Sequence, residues 1–400
     1  MNAAEAPHAA GLARYAGRPA ASRGRLHDEA ESPTRSCFQR DRDRIVHSGA
    51  FRRLQYKTQV FVYHEGDYYR TRLTHSIEVA QIARSICRAL SLNEDLAEAV
   101  ALAHDLGHTP FGHAGEDALT RALEPYGGFD HNEQTFRILT LLEQRYAAFD
   151  GLNLTWETLE GLAKHNGPLT GERAPPGQTP ASPTLAAFCR GFDLELDTFA
   201  GPEAQVATLA DDIAYNNHDV DDGLRAGLFT VDDLDDVPLV GPIFAEVTDR
   251  HPGLDPSRLN HEAVRRIIDA MVNDLLETTQ ARLADLAPSN ADAVRRATRP
   301  AVAFSERMRE NDRALKAFLF ERMYRHHKVN RMTSKARRVV RELFERYLAE
   351  PECLPPAWRE TARQYDEAGR ARLVADYIAG MTDRYALQEH RKLFDIDAAT

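Results

Sequence analysis

The chain has 400 residues, of which 43% are hydrophobic, a length and composition sufficient for a large globular core. Its formal net charge of −11 argues against broad nonspecific binding to nucleic acid, so a polyanionic ligand would need a local basic site. No apolar run approaches the roughly 18 residues of a membrane span, and the N-terminal residues lack the apolar segment of a secretory signal.

The N-terminal segment, residues 1–25, is rich in alanine, glycine and arginine, and we predict a flexible arm there. Strand signals are weak along the chain. The best of them, residues 58–63, precedes a Glu-Gly-Asp turn and predicts at most a small β-hairpin. The four cysteines are scattered without a paired spacing, which argues against a zinc knuckle or a disulfide framework and favours a reducing, cytoplasmic setting.

Helical periodicity dominates from residue 75 onwards. Apolar residues between positions 79 and 90 recur at intervals of three and four, and His75 shares their inward face. In the next segment His104 continues an apolar row formed by positions 96 and 100. We expect Gly107 and Pro110 to end that helix, because neither residue favours its continuation.

A third predicted helix, residues 203–217, places Asp211 and Tyr215 on one row at a spacing of four, and Asp219 extends that row. Residues 167–183, rich in Pro, Gly and Thr, are predicted to form a loop, and the acidic, proline-containing residues 230–256 an irregular segment. Further helices are predicted over residues 262–286, 305–324, 334–348 and 371–385.

Metal-ligand side chains recur on these three predicted helices. His75, the adjacent pair His104 and Asp105, and Asp211 offer two imidazoles and two carboxylates. A single inward histidine is usually a hydrogen-bonded core residue, but an aspartate on a buried helix face is costly unless it is paired or metal-bound. We therefore predict one divalent ion, and the donor types suit Mn, Mg, Ni, Fe, Co or Zn without choosing among them. Asp211 is preferred to Asp212 as the ligand because it shares the face of Tyr215.

More histidines follow the His-Asp pair. Glu116 lies three residues after His113, so one helical turn would bring carboxylate and imidazole together as an acid/base dyad. The alternative is a helix cap or a surface ion pair. His108 and His131 have no evident acid/base partner in the sequence and are interpreted as donors to phosphate oxygens.

With these residues the chain resembles the HD-superfamily phosphohydrolases, and more narrowly the bacterial deoxyguanosine-triphosphate triphosphohydrolase-like proteins. The resemblance covers almost the whole chain. The His-Asp motif alone would imply only a metal phosphohydrolase, whereas the combination of motifs is specific to the triphosphohydrolase group. The matching segments are SRGR (22–25), RDRDRIVHS (40–48), FRRL (51–54) with Gln59, RLTHS (72–76), HDLGHTPFGH (104–113), HNEQT (131–135), ADDIAYNNHD (210–219), LKAFL (315–319) and GMTDRY (380–385).

The resemblance implies a mainly all-α fold with an HD-domain helical core, additional C-terminal helices and at most a small β-hairpin. It also implies that water attacks the α-phosphorus of a deoxynucleoside triphosphate, releasing the deoxynucleoside and inorganic triphosphate. By matching position, the resemblance implies that His75, His104, Asp105 and Asp211 bind the metal and that His113 and Glu116 form the acid/base dyad. It implies phosphate contacts from Arg72, His108 and His131. It also implies a sugar site with Gln59, Tyr215 and Asp219, and further substrate contacts from Lys316 and Tyr324.

The expected organisation has four consecutive segments. Residues 1–45 form an N-terminal arm, residues 46–228 the HD phosphohydrolase core, residues 229–300 an acidic and helical connection, and residues 301–400 a C-terminal helical region packed on the core. The expected partners are deoxynucleoside triphosphates and, as the resemblance implies, other copies of the chain in a homo-oligomer and a nucleotide activator. A membrane is not expected.

Two alternatives stay open at the level of sequence. One is another HD enzyme, a nucleotide monophosphatase or a phosphodiesterase, which would lack the phosphate-binding set beyond the metal. The other is a nucleotide-sensing or single-strand nucleic-acid-binding protein, which the arginines between residues 35 and 53 would support. Those arginines are as well explained by a solvated helix face or by salt bridges between subunits.

Overall fold

The computed structural model describes residues 11–59, 70–177 and 181–398. Within those ranges the chain forms α-helices and no strand, which confirms the prediction of a mainly all-α fold. The helices, in chain order, are α1 (Cys37–Val46), α2 (Gly49–Arg53), α3 (Arg72–Ala89), α4 (Glu94–Ala103), α5 (His113–Ala122), α6 (His131–Arg137), α7 (Trp156–Ala163), α8 (Pro183–Cys189), α9 (Pro202–Arg225), α10 (Val240–Arg250), α11 (Pro256–Leu286), α12 (Ala291–Arg295), α13 (Glu306–Leu319), α14 (His327–Ala349), α15 (Pro356–Ala362), α16 (Glu367–Ala379) and α17 (Asp383–Phe394).

The predicted hairpin falls largely outside the described residues, since residues 60–63 are not among them. Of its first strand, Thr58 forms an isolated antiparallel bridge with Thr71. In the part of the chain that the structure describes, no helix combines the length and apolar composition needed to cross a bilayer.

The chain divides into two compact units, each assembled from three separate stretches of sequence. Unit 1 contains Met1–Ile45, His75–Leu102 and Asn153–His326, and unit 2 contains Val46–Thr74, Ala103–Leu152 and His327–Thr400. The four consecutive segments expected from the sequence remain a prediction.

Unit 1 is organised around the long helices α9 and α11. Helix α9 packs against α7, α11 and α13, and α10 packs against α11. The buried face of α11 carries Ile267, Met271 and Leu275 at intervals of four, so one apolar stripe runs along the helix. These contacts fix the position of α9 within unit 1, and α9 carries the predicted site residues Asp211, Tyr215 and Asp219.

The prediction of an irregular segment over residues 230–256 is wrong, because α10 lies within it. Its buried residues Val240, Phe244 and Val247 recur at intervals of four and three, as a helix requires. Pro242 obscured this pattern, but it occupies the first turn, where the missing backbone N–H has no intrahelical acceptor.

The prediction of a flexible N-terminal arm is wrong for residues 11–25, which are bound to unit 1 by buried carboxylates. The backbone N–H of Gly17 donates to Glu203 (2.7 Å), and that of Arg23 donates to Glu157 (2.8 Å). The Arg25 guanidinium pairs with Asp41, whose side chain is fully buried. The sequence did not reveal these bonds because each acceptor lies on a separate helix, and for Gly17 and Arg23 that helix is more than 130 positions away.

Unit 2 is organised around α14, which packs against α5, α16 and α17. The buried residues of α14 include Val340, Leu343, Phe344 and Tyr347, again with helical spacing. The single helix predicted over residues 371–385 is in fact two: α16 ends at Ala379 and α17 begins at Asp383. The Thr382 hydroxyl accepts the backbone N–H of Tyr385 (3.2 Å), which caps the start of α17.

Candidate active site

The His104-Asp105 pair of unit 2 lies in the turn that follows α4. Helix α4 ends at Ala103, so the predicted continuation of the helix through His104 is wrong. Within the turn the backbone N–H of Leu106 donates to Ala103 (3.2 Å) and that of His108 donates to Asp105 (3.2 Å). Adjacent helical residues diverge, but residues in a turn need not, and His104 Nε2 lies 3.4 Å from Asp105 Oδ1.

Gly107 and Thr135 hold this turn in place. The Thr135 hydroxyl accepts the backbone N–H of Gly107 (2.9 Å) and donates to the carbonyl of His104 (3.0 Å). A Cβ at position 107 would lie 2.1 Å from the His131 carbonyl oxygen. Glycine is therefore required for α6 to approach the turn this closely, and that approach brings His131 beside the His-Asp pair.

Asp105 is surrounded by cationic and imidazole groups. Arg72 Nη1 donates to Asp105 Oδ2 (3.0 Å), and both side chains are buried. His108 Nε2 lies 3.3 Å from Asp105 Oδ1. Burial, and next the charge of Arg72, lower the pKa of His108 well below its ordinary value of 6.5, so His108 is a neutral imidazole.

Glu116 is shared by two histidines at the starts of two helices. Its Oε2 lies 3.1 Å from His113 Nδ1, and its Oε1 lies 2.7 Å from His131 Nδ1 and accepts the His131 backbone N–H (3.0 Å). Burial alone would raise the pKa of Glu116, but the hydrogen bonds from the two imidazoles outweigh it and hold that pKa far below 4.5. Burial would lower the pKa of His131, but Glu116 raises it above 6.5.

The Glu116 contacts extend the predicted dyad into a cluster. His131, which had no evident partner in the sequence, is the more buried of the two imidazoles, with 24% of its side chain exposed against 56% for His113. The His108 and His131 rings stack with centroids 4.1 Å apart. The structure therefore brings three predicted histidines of unit 2, His108, His113 and His131, together at the Glu116 carboxylate.

The loop between His108 and His113 has an unusual backbone. Phe111 has φ +64° and Gly112 has φ +57°, the left-handed region that residues other than glycine rarely adopt. The Thr109 hydroxyl donates to the Gly112 carbonyl (2.9 Å), and Asp383 Oδ1 accepts the Phe111 backbone N–H (2.8 Å). These bonds stabilise the conformation that presents His113 at the first turn of α5.

Gln59 directly follows Thr58, whose backbone N–H donates to Asp383 Oδ2 (3.1 Å). Asp383 therefore binds both this segment and the loop that contains Phe111. Gln59 is buried, and its Oε1 has no hydrogen-bond partner among the residues that the structure describes. A buried amide oxygen without a partner is unfavourable, so it is suited to accept a hydroxyl from a ligand.

In unit 1, His75 on α3 and Asp211 on α9 face each other. His75 Nε2 lies 2.9 Å from Asp211 Oδ1. His165 Nε2 lies 3.6 Å from the other oxygen of Asp211. The neighbouring Asp212 instead accepts a hydrogen bond from Lys316 (2.7 Å), so the two adjacent aspartates have different partners.

His75 has a second contact on its other ring nitrogen. His75 Nδ1 lies 3.3 Å from His218 Nδ1, and His218 Nε2 lies 2.7 Å from Glu78 Oε2. Sequence reasoning missed both residues. Helical spacing offered a signal, because Glu78 is one turn beyond His75 on α3 and His218 is two turns beyond Asp211 on α9.

The predicted sugar-site residues of unit 1 form one hydrogen-bonded group. The Tyr324 hydroxyl donates to Asp219 and hydrogen-bonds to the Tyr215 hydroxyl. Tyr324 lies in a π-helical turn, Phe320–Tyr324, that extends α13. Burial, and next the Asp219 carboxylate, raise the pKa of Tyr324 well above 10, so its hydroxyl remains a proton donor.

The arginines between residues 35 and 53 were the feature that could support nucleic-acid binding. In unit 1, four of them are paired with carboxylates of the same chain: Arg35 with Asp43 (2.8 Å), Arg40 with Glu29 (3.8 Å), Arg42 with Asp95 (3.1 Å) and Arg44 with Glu29 (2.8 Å). Salt bridges within the chain therefore account for these four charges, whereas the predicted alternative was salt bridges between subunits.

Comparison with known proteins agrees with this architecture. Residues 72–216 match the HD domain, and residues 302–392 match the phosphohydrolase-associated domain. The helical fold, the His-Asp turn and these two matches define the chain as a member of the HD phosphohydrolases. The first match contains His75, the His104-Asp105 turn and Asp211.

Similarity to individual relatives is close and extends over nearly the whole chain. A deoxyguanosinetriphosphate triphosphohydrolase-like protein of Parvibaculum lavamentivorans is 60% identical over 97% of both chains. Proteins with the same description from Mesorhizobium japonicum (59%, covering 96% of this chain and 95% of the relative) and Caulobacter vibrioides (58%, covering 98% and 99%) are similarly close. The chain belongs to the family of deoxyguanosinetriphosphate triphosphohydrolase-like proteins, as the resemblance predicted.

Proposed function

We propose that the chain hydrolyses deoxynucleoside triphosphates at the α-phosphorus and releases the deoxynucleoside and inorganic triphosphate. The observation that carries this proposal is the 60% identity, over 97% of the chain, to a protein described as deoxyguanosinetriphosphate triphosphohydrolase-like. The cluster around Glu116 supports it, because it offers proton-handling groups beside a buried arginine.

The proposal includes one divalent metal ion held by His75, His104, Asp105 and Asp211. The set offers two imidazoles and two carboxylates, and this mixed nitrogen and oxygen set fits a first-row divalent cation or Mg²⁺. The close approach of His75 Nε2 to Asp211 Oδ1, at 2.9 Å, supports the assignment, because two electron-pair donors face each other there. When bound, the cation would polarise the α-phosphate and lower the pKa of a bound water.

The remaining chemistry is positioning, charge neutralisation and proton transfer. Arg72, held by Asp105, would bind phosphate oxygens together with the neutral His108. The 5′-oxygen leaves as an alkoxide unless it is protonated. His113 and His131, both bonded to Glu116, are the candidates to protonate it or to accept the proton of the attacking water.

Selection of the deoxyribose would come from the two tyrosines and Asp219, with Gln59. The aromatic ring of Tyr215 would leave no room for a 2′-hydroxyl, so a ribonucleotide would be excluded without a dedicated hydrogen bond. Asp219 and Gln59 offer oxygen acceptors for a sugar hydroxyl. Lys316, bonded to Asp212, is a further cation for the phosphates.

The test is incubation with each of the four deoxynucleoside triphosphates, singly and mixed, with Mn²⁺ or Mg²⁺. Inorganic triphosphate and deoxynucleoside in equal amounts are the expected products. Orthophosphate or pyrophosphate would contradict the proposal and favour a monophosphatase or another HD enzyme. Turnover in the mixture alone would indicate that a nucleotide activator binds as well.

A further inference from the structure

Three side chains of unit 1 form a continuous hydrogen-bonded chain that ends at a proposed metal ligand. Glu78 Oε2 lies 2.7 Å from His218 Nε2, and His218 Nδ1 lies 3.3 Å from His75 Nδ1. The remaining nitrogen of His75, Nε2, faces Asp211 at 2.9 Å. Each of the four ring nitrogens in the two histidines therefore has a distinct neighbour.

The protons of this chain follow from the chemistry of imidazole. A ring nitrogen that binds a metal offers its lone pair, so the other nitrogen of the neutral ring carries the proton. With Nε2 of His75 directed to the metal, Nδ1–H donates to Nδ1 of His218. The proton of a neutral His218 then lies on Nε2, where it donates to the Glu78 carboxylate. With the metal bound, this arrangement of protons satisfies both the His75–His218 and the His218–Glu78 contacts.

We propose that His218 and Glu78 are positioning residues that fix the tautomer and the ring orientation of His75 for metal binding. This inference rests on the proposed metal site. Ligating histidines commonly donate their second ring N–H to an acceptor that orients the ring. Here the acceptor is His218. The Glu78 carboxylate, on the same helix as His75, accepts the Nε2–H of His218, so Nδ1 of His218 is the nitrogen that accepts from His75.

The geometry of the two helices explains how the chain of contacts is built. His75 and Glu78 are one turn apart on α3, and Asp211 and His218 are two turns apart on α9. Each helix therefore carries one ligand and one positioning residue on the same face. His75 and His218 are buried, with 1% and 5% of their side chains exposed, so a rotation of either ring would separate a buried ring nitrogen from its present partner, which is unfavourable.

The experiment measures Mn²⁺ affinity by isothermal titration calorimetry on the full chain, without substrate. Loss of an outer hydrogen-bond partner typically weakens metal binding about 10–100-fold, and we expect that loss for Glu78→Ala and for His218→Leu. His218→Asn keeps an oxygen acceptor near the position of Nδ1, and we expect it to restore most of the affinity. Rescue by this variant would not follow from a purely structural role.

The matched control is Glu94→Gln, which removes a carboxylate that pairs with Arg88 at the surface of unit 1. This variant should bind Mn²⁺ as the wild type does. Glu78 is 41% exposed, so Glu78→Ala should fold normally, and thermal unfolding of the metal-free proteins checks this. If Glu78→Ala and His218→Leu bind Mn²⁺ within twofold of the wild type, the inference is wrong. If the wild type itself binds no Mn²⁺, the proposed metal site is wrong and the inference with it.

Discussion

Asp41 in unit 1 is fully buried and Glu116 in unit 2 is largely buried, and their partners differ in kind. Asp41 accepts hydrogen bonds from the Arg25 guanidinium, from the Thr155 backbone N–H (2.9 Å) and hydroxyl (2.6 Å), and from the Thr158 hydroxyl (2.7 Å). Glu116 is held by two imidazoles and one backbone N–H. Both carboxylates are satisfied, but only Glu116 has partners that exchange protons near neutral pH.

This difference separates a carboxylate with a structural role from one whose neighbours can take part in proton transfer. Backbone amides, hydroxyls and guanidinium groups do not titrate near pH 7, so Asp41 can only fix the N-terminal segment to α7. Imidazoles can take up or release a proton, so Glu116 and Asp105 have neighbours with which chemistry is possible.

The largest effect is expected for Asp105→Asn. The amide keeps the shape of the side chain but removes the charge that faces His104, His108 and Arg72. We expect metal-dependent turnover to fall about 10³-fold or more, because a bound cation supplies several kcal/mol and about 1.4 kcal/mol is a factor of ten. Steady-state rates and metal content measure the effect.

The matched control for Asp105→Asn is Asp41→Asn, the same substitution at the structural carboxylate. It should leave turnover per folded molecule unchanged. Equal losses of turnover in the two variants would contradict the distinction between the two regions.

The next effect concerns Glu116→Gln, which keeps the side-chain length but removes the charge shared by the two histidines. We expect turnover to fall about 10²–10⁴-fold with much less change in KM, because the proposed acid/base group is lost while Arg72, the proposed phosphate ligand, is unchanged. Parallel rates for His113→Ala and His131→Ala show which imidazole transfers the proton. An unchanged rate for Glu116→Gln would remove the cluster from the mechanism.

Asp41→Asn should act on stability instead. The fully buried carboxylate faces the nearly buried Arg25, with 0% and 7% of their side chains exposed, and breaking a buried pair typically costs about 3–5 kcal/mol. Urea unfolding followed by fluorescence measures the change, since Trp156 directly follows the bonded Thr155. An unfolding midpoint equal to that of the wild type would show that Asp41 does not fix this segment.

Helical periodicity predicted the long helices, but it gave no prediction for shorter ones such as α1, α7 and α12, and it failed where helices begin and end. It located α9 and α11 because long apolar stripes must face a core. It missed α10, whose first turn contains Pro242, and the break between α16 and α17 at Gly380. Both errors concern capping and the first turn, where the side-chain pattern carries little information.

The candidate site shows the same limit. Spacing on one helix suggested His113 with Glu116 and placed Asp211 on the row of Tyr215. It did not reveal that Glu116 also holds His131, because that contact joins residues 15 positions apart through a loop. Sequence patterns report which residues share a helical face, whereas contacts between helices depend on packing that one sequence does not display.

The smallest expected effect is the pH dependence of the Glu116 cluster. The raised pKa of His131 contributes stability that is complete below its ordinary value of 6.5 and is lost as pH rises through the raised value. The lowered pKa of Glu116 contributes stability that is complete above its ordinary value of 4.5 and is lost as pH falls through the lowered value. Both contributions are therefore complete between pH 4.5 and 6.5.

Melting temperatures of the wild type and Glu116→Gln, compared across pH, test this expectation. The advantage of the wild type should be largest between pH 4.5 and 6.5 and should shrink on either side, because the ion pair between Glu116 and His131 needs both charges. A difference that stays constant from pH 5 to pH 9 would mean that Glu116 acts as Asp41 does, through hydrogen bonds whose donors do not titrate. The distinction between the two carboxylates would then have to rest on turnover alone.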